Sequence, residues 1–330
     1  MTEAIPIEKT LGEYAAWRIP GLVLTGKKTI LAYFECRRDS ASDWASIDLR
    51  VLRSTDGGAS WQTTQTLMGE GNTLNNPVMI VDGERVHFLF CKNYREIFHA
   101  VSLDDGVSFS EPRRLDATVR EIPGFFNALA LGPGHGICHR GRLLVPMWFA
   151  YNTERPKAHH PSHLTTLYSD DRGESWHVGE VIDEGGIPDP NESALAHTAS
   201  GELFLSVRNE SPARRRAFST SESGIDGWTP LRLVPALTDP VCQGSLADRD
   251  GVLFHCGCAS TDAREELTVR ISRDGFESFS SIPIDRIGGY SDIVLLDDAI
   301  GVLYERGVMT GGKGLYWRRI PYLFDEKNEV

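Results

Sequence analysis

Ser54-Thr55-Asp56-Gly57-Gly58-Ala59-Ser60-Trp61 is the stretch from which the fold can be read. A short Asp side chain accepts backbone N–H groups across a tight turn, Gly supplies a positive φ, and the closing aromatic packs the turn onto its hairpin. The pattern returns as Ser169-Asp170-Asp171-Arg172-Gly173-Glu174-Ser175-Trp176, and more loosely as Ser102-Leu103-Asp104-Asp105-Gly106-Val107-Ser108-Phe109. Ser272-Arg273-Asp274 with Phe279 lacks the second Gly, and Ser219 to Trp228 reads as a decayed fifth copy. The serines are 48, 67, 50 and 53 residues apart. A spacing of about fifty residues is too long for most solenoid repeats and suits a propeller blade of four strands. Six blades account for the 330 residues. The expectation is an all-β chain, a six-bladed β-propeller of four-stranded antiparallel blades, with 1–330 forming a single domain.

The sequence between the turns agrees. Thr29 to Phe34, Pro77 to Val81, Val86 to Phe90, Arg142 to Met147, Glu202 to Val207, Val252 to His255 and Asp292 to Leu296 are short apolar runs bounded by polar breaks. They are strand signals, and helical periodicity is weak throughout. Ala263 to Arg270 has some helical character, but its place before a repeat turn favours a strand.

Composition narrows the function. A net charge of −12 argues against nucleic acid and anionic membranes as partners, while leaving room for a local basic pocket. The chain has no apolar run of membrane-spanning length. Met1 to Pro6 has no basic stretch followed by an apolar run, which predicts a cytoplasmic protein, or a secreted or periplasmic one if a leader was trimmed. The six cysteines are scattered and read as reduced thiols. Cys256-x-Cys258 has no second Cys/His pair to answer it, so no metal is expected there.

In a propeller, residues from several blades converge at one end of the axis, so isolated polar residues beside apolar strands are the candidates. Arg18 stands at the mouth of the first strand, and Arg208 ends Leu203 to Val207. Glu192 precedes that strand's partner, and Tyr290 precedes Ile293 to Leu296. Taken singly each has an ordinary reading: a tyrosine in the core, or a solvated charge.

Taken in order, these residues make the chain resemble the exo-sialidase (neuraminidase) family of six-bladed propellers. The repeat turns match that family's Asp boxes, and Arg18-Ile19-Pro20 matches its Arg-Ile-Pro opening. Leu131 to Ile137 with Gly141 to Pro146, Asn191-Glu192-Ser193 with Ser206 to Asn209, and Tyr290-Ser291-Asp292 with Gly301 to Glu305 complete the likeness. The resemblance implies that Arg18, Arg208 and Arg264 grip a sugar carboxylate, a task suited to the two-point guanidinium fork. Arg270 is the alternative to Arg264. It implies Asp43 as the acid/base, with Asp48 its local competitor, and Arg38 rather than Arg37 as the contact to a ring hydroxyl. Tyr290 would be the nucleophile and Glu192 its proton acceptor. Trp148 would face the glycerol side, with Asn76 and Gln243 as either hydroxyl ligands or structural residues. His135, His139, His159, His160 and His163 are read as structural or rim residues. The implied activity is retaining hydrolysis of terminal sialic acid from glycoconjugates, without a cofactor. The alternatives are a hydrolase or trans-glycosidase for another ulosonic acid, and a non-catalytic glycan-binding propeller.

Overall fold

A computed structural model describes residues 3–7, 14–151, 159–307 and 314–322. Their strands form six antiparallel blades. The first contains Ala16–Leu24, Ile30–Arg37, Ile47–Ser54 and Gln62–Leu67, from axis to rim. The second contains Leu74–Asp82, Arg85–Lys92, Glu96–Ser102 and Arg113–Arg114. The third contains Ala128–Leu131, Arg142–Ala150, Ser162–Ser169 and His177–Val178. The fourth contains Ser193–His197, Leu203–Val207, Arg215–Ser221 and Arg232–Thr238. The fifth contains Ser245–Arg249, Val252–Cys258, Glu265–Ser272 and Ser280–Ile287. Ser291–Leu295, Ala299–Arg306 and Gly314–Pro321 build the sixth. Its outermost strand is the N-terminal Ile5–Pro6, with Ile5 opposite Trp317, so the two ends of the described chain close the ring. Gly134–His135 and Ile137–His139 add short pairings to the second and third blades.

Burial follows from this stacking. A middle strand is covered on both faces by neighbouring blades, and Ile30–Arg37 is buried at every position. The rim strand Gln62–Leu67 has no buried residue. Apolar side chains accordingly collect between blades: Leu31, Val51, Met79 and Phe88 join the first blade to the second, and Phe34, Leu303 and Trp317 join the sixth to the first. The segment around Ala263 extends into the strand Glu265–Ser272.

The repeat turns connect third to fourth strands. Ser54, Ser102, Ser169 and Ser272 each donate a hydroxyl hydrogen bond to the Asp two residues on. Each of those Asp side chains also accepts the N–H of the residue four positions later. The serine of the fifth copy is Ser221, not Ser219. It ends the equivalent strand and accepts the Gly224 N–H at 3.0 Å. The sixth blade takes its fourth strand from the other end of the chain, so it has no such turn to make.

Each turn packs against the preceding blade. A Cβ on Gly58 would lie 2.2 Å from Trp317, one on Gly106 2.5 Å from Leu31, and one on Gly173 2.8 Å from His87. The positive φ of these glycines is therefore coupled to close contact between blades.

His87 and His99 under the third-blade turn are buried, with stacked rings and a 3.0 Å bond from Nδ1 to Nε2. Burial pushes His87 down to about 4 and His99 to about 3. Both folded-state values lie below that of an unfolded histidine, so the unfolded chain takes up protons first. Stability should fall as pH drops from about 6.5 toward 4 and 3. Chemical denaturation across this range should show a shallower pH slope in His99→Gln; an unchanged slope would mean the pair is not responsible.

Candidate active site

Chain direction alternates within a blade, so the start of each inner strand and the loop from second to third strand share one end of the propeller. The repeat turns occupy the other end. At the first end lies a cavity of about 230 Å³ lined by Arg18, Asp43, Asn76, Trp148, Glu192, Arg208, Arg264 and Tyr290. Tyr94, His159, His160, Asn191 and Glu210 also face it.

Two strained positions aim the inner strands. The pairing register of Ala16–Leu24 shifts between Arg18 and Gly21, where Ile19 has φ 56°. A β-branched residue rarely occupies the left-handed region. Ile19 N–H donates to Glu305 Oε1 at 3.0 Å, and the same carboxylate takes Arg18 Nε at 3.0 Å. The second blade repeats the device: Asn76 has φ 50° at a register shift, and its N–H donates to Glu35 Oε1 at 2.9 Å. In both cases the glutamate comes from the second strand of the preceding blade.

Arg208 forms the centre of the fourth-blade contribution. Its Nη1 donates to Glu192 Oε2 at 2.5 Å and to Tyr290 Oη at 2.7 Å. Tyr290 Oη donates in turn to Glu192 Oε1 at 2.7 Å. The tyrosine is only 5% exposed and the glutamate 7%. Burial raises the Tyr290 pKa, with Arg208, Arg264 and Arg18 opposing and Glu192 reinforcing the rise, so the resting group is a phenol. The guanidinium carbons of Arg18 and Arg264 stand 5.1 and 5.0 Å from its ring centre. Arg264 keeps its positive charge despite its burial.

Asp43 is half-buried and the most accessible carboxylate of the group, with 41% of its side chain accessible. It accepts Arg37 Nη1 at 2.8 Å and Arg18 Nη1 at 3.4 Å. Burial opposes its charge, yet Arg37 and Arg18 hold the carboxyl below the usual aspartate range. Asp48 lies away from the cavity, fully buried and bonded to Tyr14 Oη, Gly69 N–H and Arg38.

Other sequence candidates separate here. Arg264 lines the cavity, whereas Arg270 donates toward Thr238 and the Cys258 carbonyl. Arg38 is not among the cavity-lining residues; its Nη2 donates to Asp48 Oδ2 at 2.6 Å. Arg37 is the residue that reaches the cavity carboxylate, because it ends the strand on the same face as Glu35, which it also bonds. Gln243 is 1% exposed and accepts the Ser291 N–H at 2.9 Å, so it braces the segment carrying Tyr290. Asn76 faces the cavity and donates to the Leu131 carbonyl at 3.1 Å. His159 and His160 line the cavity itself, beyond the rim role expected of them. Tyr94 and Glu210 carry no local sequence signal and enter only through the assembled blades.

Residues 22–300 match the family described as the BNR repeat-like domain. A Bacteroides fragilis (strain YCH46) protein named Sialidase is 28% identical, and the alignment covers 89% of this chain and 60% of the relative. The Exo-alpha-sialidase of Arthroderma benhamiae is 26% identical over 93% of this chain and 83% of its own length. A solved Hadza microbial sialidase superposes with TM-score 0.82 at 24% identity, covering 96% of this chain and 68% of that structure.

Glu305 supports both the Arg18 charge and the strained Ile19, so Glu305→Gln should lower stability by about 1–3 kcal/mol. Urea denaturation tests this, and a change within about 0.5 kcal/mol would show that the pair carries little stability.

Proposed function

The chain belongs to the BNR repeat-like domain family, and from that premise, with its likeness to sialidases, we propose that it is a retaining exo-α-sialidase. The observation that carries the reading is the hydrogen-bonded group Tyr290–Glu192–Arg208 beside two further arginines. A non-catalytic glycan binder has use for the guanidiniums but none for a buried phenol held at 2.7 Å from a carboxylate.

The substrate class follows from charge. Arg18, Arg208 and Arg264 converge on one cavity and suit a carboxylate on the sugar. In a 2-keto acid sugar that carboxylate is attached to the anomeric carbon. A carboxylate nucleophile would be repelled there, whereas a phenol approaches uncharged. Sialidases, with a tyrosine nucleophile, are one recognised exception to the two-carboxylate scheme of glycoside hydrolysis.

In the first step Tyr290 Oη bonds to the anomeric carbon as the bond to the leaving oxygen breaks. The phenolic proton passes to Glu192, and Asp43 supplies a proton to the leaving oxygen. In the second step Asp43 takes a proton from water, whose oxygen attacks the anomeric carbon. The bond to Tyr290 breaks, and Glu192 returns the proton. Two displacements retain configuration. Arg208 donates to the oxygen that gains negative charge, so its role extends from binding into the chemical step.

Binding prepares Asp43 for its part. A substrate carboxylate drawing on Arg18 weakens that residue's hold on Asp43 and eases protonation of the acid. In the free protein the carboxyl is held low. For a poorly activated alkyl sialoside, kcat/KM should therefore fall as pH rises above the Asp43 pKa, giving an acidic optimum. An aryl ketoside needs less proton assistance and should depend less on pH.

Fluorescence release from an aryl α-ketoside of N-acetylneuraminic acid provides the test. Tyr290→Phe should lose roughly 10²–10⁴-fold in kcat. Arg208→Ala should raise KM and lower kcat together. Asp43→Ala should damage an alkyl sialoside at least tenfold more than the aryl substrate, a factor of about 1.4 kcal/mol in the barrier. Undiminished turnover in both Tyr290→Phe and Arg208→Ala would remove the assignment.

A further inference from the structure

The wall across the axis from the nucleophile contains an imidazole with no hydrogen-bond partner among the described residues. Arg18, Arg208, Arg264 and Tyr290 come from the first, fourth, fifth and sixth blades, whereas Tyr94, Trp148 and His159 come from the second and third. The inference rests on the sialidase reading above. If the carboxylate and anomeric carbon lie at the arginines and Tyr290, a six-membered ring extends its C5 substituent across the axis toward this wall.

That wall is largely aromatic carbon. The His159 ring centre lies 5.4 Å from Trp44, 5.1 Å from Tyr94 and 5.2 Å from Trp148. Among the described residues its buried Nε2 has no hydrogen-bond partner, and the ring lines the cavity. A buried N–H without an acceptor is harder to accommodate than an unsatisfied lone pair. The proton therefore belongs on Nδ1. Burial holds the ring below its ordinary pKa against the pull of Asp43 and Glu192, so it is uncharged at neutral pH.

We propose that His159 is a specificity-determining residue whose Nδ1–H donates to the acceptor oxygen of the sugar's C5 substituent. A hydroxyl or an acyl carbonyl provides that oxygen. A free 5-amino group is protonated at neutral pH and offers only donors, so it meets His159 unfavourably. The site should accept N-acyl and deaminated sugars and disfavour the 5-amino sugar.

The test compares aryl α-ketosides of the N-acetyl, deaminated and 5-amino sugars. His159→Phe keeps an aromatic ring but removes the donor, and should raise KM for the first two roughly three- to tenfold, the range of one neutral hydrogen bond. Its kcat should stay within about twofold, because the contact is remote from the reacting bond. The 5-amino substrate should show no rise in KM. His159→Asn restores a donor near the same place and should recover much of the loss, while His159→Leu serves the comparison if the Phe variant does not fold. Unchanged KM in the donor-less variants, or an equal rise for all three sugars, would overturn the role of His159. A wild-type protein inactive on all three would overturn the sialidase reading and this proposal with it.

Discussion

Positive charge concentrated at one end of the axis is the constraint to which the rest of the site conforms. Arg18 and Arg37 are buried there beside the cavity-lining Arg208 and Arg264, and an unpaired buried cation is costly. Glu305 meets Arg18, Glu35 meets Arg37, and Glu192 meets Arg208. The first of these pairs crosses between blades, while both Glu305 and Glu35 also hold a strained backbone position of the following blade. Charge balance and geometric precision are thus supplied by the same side chains. That arrangement leaves three guanidiniums facing a small cavity, with the Tyr290 phenol and the carboxylates of Asp43, Glu192 and Glu210 around them.

The propeller separates this work from the work of holding itself together. The repeat turns at the opposite end settle each blade against the one before it, and the N-terminal strand completes the sixth blade. A site built at the ends of six inner strands then draws residues from positions as distant as Arg18 and Glu305. Loops between second and third strands add Asp43, Tyr94, His159, Arg208 and Arg264. Chemistry at this end can change through such loops while the blade packing stays fixed.

The fold was legible because the repeat turns are local. Ser, Asp and Gly lie within a few residues of one another, and their spacing carries the blade length. Arg208, Glu192 and Tyr290 were legible for a related reason: each is a polar residue beside an apolar inner or second strand. At a strand end the structure brings Arg37, rather than the expected Arg38, to Asp43, because Glu35 and Arg37, two residues apart, share a face. Ser219, taken as the start of the fifth turn, lies two residues before Ser221, which holds that place in the structure. His159 lay beyond sequence reasoning for another cause, since its environment is made by Trp44, Tyr94 and Trp148, which no periodicity links. Gln243 shows the converse, a polar residue near the site whose bond serves the backbone.

The central claim is that Tyr290 forms a covalent bond to the sugar. Incubation with 2,3-difluorosialic acid, followed by peptide mapping in a mass spectrometer, tests it directly. The account predicts one fluorosialosyl group on the peptide containing Tyr290 and none in Tyr290→Phe. An adduct on Glu192 or Asp43, or active protein that turns over sialosides yet never becomes labelled, would contradict it.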